Sequence, residues 1–141
     1  MRVTRRYRFS ASHRLRSVAL SEEENRRVYG KCHNPHGHGH DYVLEVSAQG
    51  PVEERTGRVL DPAVLDGLVR RTVLEAFHHR DLNREIPELT DLPPTTENLA
   101  QAIWQRLIRR WHDVFPAEGP RLSGLRIQET RRNSFGIIEE R

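Results

Sequence analysis

The sequence predicts one α+β domain with an antiparallel sheet, and three patterns carry that expectation. Apolar and polar residues alternate with period two near the N-terminus and again from His38; two helical stripes follow; alternation then returns before the C-terminus. In the first stretch Val3, Tyr7, Phe9, Ala11 and His13 share one face, and Arg2, Thr4, Arg6, Arg8, Ser10 and Ser12 share the other, the signature of a half-buried strand. Ser21-Glu22-Glu23-Glu24 has the form of a capping box and predicts a short polar helix over 22–29. The second strand places His38, His40, Tyr42, Leu44, Val46 and Ala48 on one face and stops at Gly50-Pro51. Thr56-Gly57 reads as a turn before a short strand at 58–60.

Asp61-Pro62 marks a helix start, a capping carboxylate followed by a proline that needs no N–H partner. Val64, Leu65, Leu68, Val69, Val73 and Phe77 keep helical spacing to about residue 78, and a polar connector over 79–94 ends in Pro93-Pro94. A second helix starts at Thr95/Thr96 with the stripe Leu99, Ile103, Trp104, Leu107, Ile108 and Trp111, until Pro116 and Gly119-Pro120 break it. Leu125, Ile127 and Glu129 occupy one face of a third long strand, and 135–138 form a fourth. The main elements thus run ββααββ, with four strands and no linker, so residues 1–141 form a single domain.

Composition narrows the function. The 141 residues are 35% hydrophobic and 30% charged, a thin core that makes self-association an early expectation. No apolar run approaches the ~20 residues of a membrane span. Met1-Arg2-Val3-Thr4-Arg5-Arg6 lacks a signal peptide's apolar region, and one cysteine excludes an internal disulfide framework, so a cytoplasmic protein is expected. Arginine and lysine total 23, with Lys31 the lone lysine, yet the net charge of +3 is too small to indicate a nucleic-acid partner.

Histidine is the sharper signal. His33, His36, His38 and His40 fall beside Cys32. His38-Gly39-His40 on a strand places two imidazoles on one face, roughly 6.6 Å apart at the backbone. His13 lies on the core side of a strand able to pair with it. Three neutral imidazoles form a ligand set for Zn²⁺ with an open fourth position, the catalytic pattern. Cys32, near such a cation and the Lys31 ammonium, is expected below its ordinary pKa and able to act as a base or a nucleophile. Glu129 puts a carboxylate on an apolar face, where it needs a partner, and a ligand bearing paired N–H donors suits it.

Phe9-Ser10-Ala11-Ser12-His13-Arg14-Leu15, the run from Gly30-Lys31-Cys32-His33-Asn34-Pro35 through His36-Gly37-His38-Gly39-His40-Asp41-Tyr42, Pro94-Thr95-Thr96-Glu97-Asn98 and Gln128-Glu129-Thr130 together resemble the 6-pyruvoyl-tetrahydropterin synthase family. That family includes the 6-carboxytetrahydropterin synthases of queuosine biosynthesis. The resemblance implies Zn²⁺ on His13, His38 and His40, with Cys32 as the base that moves carbon-bound protons of 7,8-dihydroneopterin triphosphate. It implies that Glu129 anchors the pterin edge and that Thr95, Thr96 and Glu97 complete its pocket; an ordinary helix cap accounts for these three as well. His79 matches a proton-transfer histidine, but His78 stands where the family places the aspartate that orients it. Arg14 and Lys31 are candidates to receive the triphosphate.

The implied architecture is the tunnelling fold: a four-stranded antiparallel sheet with two helices on one face, closed into an oligomeric barrel. A homohexamer with active sites between subunits is expected. Cys32 stands six residues before His38-Gly39-His40 and four before His36-Gly37-His38. The longer spacing resembles the pyruvoyl synthases and the shorter the carboxy synthases; His40-Asp41-Tyr42 leads straight into the alternating strand, favouring the longer register. A non-catalytic zinc- or pterin-binding relative, its proton relay impaired by His78, is the alternative.

Overall fold

A computed structural model describes residues 1–33 and 37–139. Asn34, Pro35 and His36, which belong to the histidine-rich motif, lie outside the described residues. β1 (Arg2–His13) and β2 (His38–Gln49) pair antiparallel along their whole length, with His13 opposite His38 and Ala11 opposite His40. β4 (Arg121–Thr130) pairs with β2, and β5 (Asn133–Ile138) with β4, both antiparallel.

The expected four-stranded antiparallel sheet is corrected by one edge strand. β3 (Arg80–Asp81) joins β1 in parallel, giving a five-stranded mixed sheet in the order β3-β1-β2-β4-β5. The polar connector conceals it because two residues are too few for an alternation pattern. The same connector folds into a one-turn helix α4 (Leu82–Glu85) and a 3₁₀ turn (Pro87–Leu89), whose Leu82, Ile86 and Leu89 are buried. The short strand expected over 58–60 does not form; Arg58 instead bridges back to Glu53 across a turn.

The capping box forms as read: Ser21 accepts from the Glu24 N–H and Glu24 from the Ser21 N–H, opening α1 (Glu22–Tyr29). Asp61 caps α2 (Pro62–Val69), which continues through a π-turn (Arg70–Leu74) into α3 (Glu75–Phe77). Leu65, Val69, Val73 and Phe77 recur every four residues and are all buried. At 3.6 residues per turn each such step drifts by about 40°, and the wider π-turn absorbs that drift. α5 (Thr96–Val114) buries Leu99, Ile103, Leu107 and Trp111, while Trp104 is partly buried and Ile108 faces outward. These helices cover the sheet face formed by Phe9, Tyr42, Leu44, Val46, Leu125 and Ile127. Among the described residues no helix is long and apolar enough to cross a membrane.

Candidate metal centre and its surroundings

Strand pairing alone brings three histidines together. His13 ends β1, His38 begins β2 directly opposite, and His40 follows on the same face opposite Ala11, whose methyl leaves room for imidazoles. Gly37 lets the chain enter β2 there. It has φ +69°, and a Cβ on it would stand 2.9 Å from the His13 carbonyl oxygen. The three rings lie nearly perpendicular to one another, with centroids 4.8 Å apart for His13 and His38, 4.9 Å for His13 and His40, and 4.6 Å for His38 and His40.

Glu129 completes the group, and the ligand atoms of His13, His38, His40 and Glu129 all lie within 4.8 Å of one another. It sits where the β4–β5 register shifts, and such a bulge redirects a side chain. Its Oε1 stands 2.9 Å from His40 Nε2 and 3.9 Å from His13 Nε2. Its Oε2 accepts from the Thr96 hydroxyl at 2.7 Å, and Asn133 Nδ2 donates to that hydroxyl at 3.0 Å.

The donor set suits a cation such as Zn²⁺ in its chemistry, and one pair already stands at tetrahedral spacing. Zn–N bonds of about 2.0–2.1 Å in a tetrahedron set the nitrogens about 3.3 Å apart, and His13 Nε2 and His38 Nε2 are 3.2 Å apart. The fully buried His13 faces the carbonyl of Pro94 with Nδ1 at 2.9 Å, so an Nδ1–H donated there leaves the Nε2 lone pair free for a metal. The Tyr42 hydroxyl lies 3.4 Å from the same Nδ1. His40 Nε2 is buried and makes no hydrogen bond within the described residues, its approach to Glu129 being badly aligned for one. Burial pushes the pKa of both His13 and His40 below the ordinary value, outweighing the Glu129 carboxylate, and a neutral imidazole is the form that binds metal.

The other candidates divide. Cys32, in the 3₁₀ turn Gly30–His33, lies within electrostatic reach of Glu129 and Tyr42. From the chain's own groups, burial first and then the Glu129 carboxylate push the thiol up, while Lys31 stays exposed; the expected lowering rests on a cation in the cluster. Thr95 is the N-cap of α5, accepting from the Asn98 N–H, and Thr96 is the residue that reaches Glu129, so the two threonines split the capping and site roles. Glu97 is exposed in the first turn of α5 and stands outside the cluster.

His79 also stands outside it, exposed at the sheet edge with φ +60°. Its N–H donates to the Ser10 carbonyl at 2.6 Å, while the Ser10 N–H donates to His78 Nδ1 at 3.0 Å. The two rings lie with centroids 3.6 Å apart and planes tilted by 30°. A groove of about 280 Å³ runs from His79 to His40 past Gly39 and Asp41. A second cavity, about 370 Å³, opens beside His13 and is lined by Arg14, Arg16 and Arg84. Sequence reasoning missed Pro94 and Tyr42 as supports of His13, although Tyr42 shared its strand face with His38 and His40.

The family model described as 6-pyruvoyl tetrahydropterin synthase matches residues 2–140. A protein of Poecilia reticulata named 6-pyruvoyl tetrahydrobiopterin synthase is 40% identical over 131 residues, covering 93% of this chain and 85% of the relative. A Rickettsia conorii protein named 6-carboxy-5,6,7,8-tetrahydropterin synthase is 25% identical over 145 residues, covering 92% of this chain and 94% of its own. The solved structure of Caenorhabditis elegans 6-pyruvoyl tetrahydropterin synthase superposes with a TM-score of 0.87 at 33% identity, covering 99% of this chain and 96% of that one. With the match spanning nearly every residue, the chain belongs to the 6-pyruvoyl tetrahydropterin synthase family.

Proposed function

We propose that this protein converts 7,8-dihydroneopterin triphosphate into 6-pyruvoyl-tetrahydropterin with release of triphosphate. The observation that carries this reading is the convergence of His13, His38 and His40 in a chain of this family. His38 and His40, the histidines of the longer cysteine-to-HGH register, both lie in the cluster, which supports the pyruvoyl product, as does the higher identity to a pyruvoyl synthase.

Residues His13, His38 and His40 would hold Zn²⁺. Such an ion supplies Lewis acidity beside the hydroxyls of the substrate side chain. Glu129, fixed through Thr96, receives the paired N–H donors of the pterin, and Thr95 and Glu97 border that pocket at the start of α5. Cys32 takes and returns the carbon-bound proton. Its pKa, raised by the chain's own groups, is drawn down when a divalent cation occupies the cluster. Arg14, Arg16 and Arg84 beside His13, with Lys31, suit the triphosphate, since guanidinium forks match phosphate oxygens. His79 shuttles a proton. Its place at the sheet edge suits a site completed between subunits, in a homohexameric barrel of a cytoplasmic enzyme.

The test is incubation of zinc-loaded protein with 7,8-dihydroneopterin triphosphate, with triphosphate release measured and the product weighed by mass spectrometry. The pyruvoyl mass is expected. The carboxy mass would reassign the product, in line with a role in queuosine biosynthesis. Pterin binding without triphosphate release would favour the non-catalytic relative, which the replacement of the expected aspartate by His78 motivates.

A further inference from the structure

We propose a second ligand site on the helical layer, one that takes a nucleotide-sized small molecule bearing phosphate. A cavity of about 680 Å³ lies between the end of α2, the π-turn, the Pro87–Leu89 turn and the exposed side of α5, and it shares no lining residue with the histidine cluster. That volume falls within the ~300–1,000 Å³ typical of small-molecule pockets. Four guanidiniums, those of Arg71, Arg106, Arg109 and Arg110, face only two carboxylates there.

Both carboxylates are already engaged. Arg106 grips Glu88 through both oxygens, with Nη2 to Oε1 at 2.8 Å, and Arg110 holds Asp113 at 2.6 Å. Arg106 is further braced, its guanidinium 4.9 Å from the centre of the Phe77 ring and Nη1 donating to the Thr72 carbonyl of the π-turn at 3.4 Å. Arg71 and Arg109 are left with no hydrogen bond or close ion pair among the described residues. Gly67 lies beside one of them: a Cβ there would stand 3.0 Å from Nη1, the flexible end of Arg71.

A solvated arginine face would need neither a concave wall nor a half-buried, ring-stacked Arg106. Arg109 lies within electrostatic reach of Glu88 but forms no close pair with it, and planar guanidiniums not bonded to a carboxylate match the oxygens of a phosphate in bidentate fashion. Leu68 and Pro87 add apolar wall for a flat ring. π-turns are also frequent at functional sites.

Isothermal titration of the full chain with ATP, and separately with inorganic triphosphate, at physiological salt tests the site. Saturable binding to both is expected, with a rise of several degrees in Tm. Arg71→Gln/Arg109→Gln, both exposed in the native fold, is expected to weaken binding at least tenfold; the charge-matched control Arg26→Gln/Arg27→Gln on α1 is expected to leave it unchanged. Tighter binding of ATP than of triphosphate assigns the apolar wall to a base, and equal affinities assign the site to the phosphates alone. The proposal is overturned if neither probe binds at millimolar concentration, if both variant pairs weaken binding alike, or if His38→Ala abolishes it while Arg71→Gln/Arg109→Gln does not.

Discussion

The histidine cluster and the His78–His79 edge are built by opposite means. Every cluster residue sits on a long strand, and two of the side chains are held by a further group: Pro94 on His13, Thr96 on Glu129. The edge segment hangs on the backbone of Ser10, leaves both histidines exposed, and carries His79 at a positive φ. A bulky residue in that region stores strain of order 1–3 kcal/mol and persists only where neighbours over-determine it. The contrast teaches that the geometry of the histidine cluster is fixed within one chain, whereas the edge presents its imidazoles outward, away from that cluster.

The largest effect is expected from His38→Ala, which removes one of the three clustered imidazoles. Metal content by mass spectrometry should fall from one ion per chain to near zero, and kcat/KM by more than about 100-fold, beyond the loss usual for a supporting residue. Full metal retention would break the reading of the cluster. Glu129→Gln comes next. Replacing a charged acceptor costs about 1.5–3 kcal/mol, so roughly 10- to 100-fold in kcat/KM is expected. If the metal stays bound, Glu129 is a pterin anchor; if it leaves, the carboxylate is a fourth ligand.

His78→Asp probes the edge. A carboxylate beside His79 favours the imidazolium, so the acid limb of the kcat profile should move to higher pH, by up to about one unit. An unmoved profile would separate His79 from proton transfer. Thr95→Ala should cost about 1 kcal/mol of stability through the lost cap, read as a Tm shift of about 2–4 °C, with a smaller change in KM than Thr96→Ala. Thr96→Ala should show the reverse, raising KM through Glu129.

The smallest effect concerns the metal-free protein. Burial holds His13 and His40 below the ordinary value of 6.5, so as pH falls below about 6.5 the unfolded chain takes up protons that the folded chain refuses. Stability should therefore decline from pH 7 towards pH 5. Urea midpoints across that range should show a weaker slope in His13→Asn.

Much of the architecture was legible because hydrophobic period is a local property. The β1 and β2 faces, the Ser21–Glu24 capping box, the Asp61 cap and the α5 stripe each lie within a short window, and the histidines inherit their face from the strands that carry them. Arg80–Asp81 was illegible because two residues carry no period and their pairing is set by β1, some seventy positions earlier.

The sequence by itself determined the α+β order, the faces of His13, His38, His40 and Glu129, and the family that their motifs imply. The tertiary structure alone decided that Glu129 turns at a bulge onto His40, that Pro94 selects the tautomer of His13, and that Cys32 sits where burial raises its pKa. The physical reason is range. Periodicity and capping act over a few residues, whereas the tautomer, the carboxylate's direction and the thiol's desolvation depend on atoms supplied by distant segments.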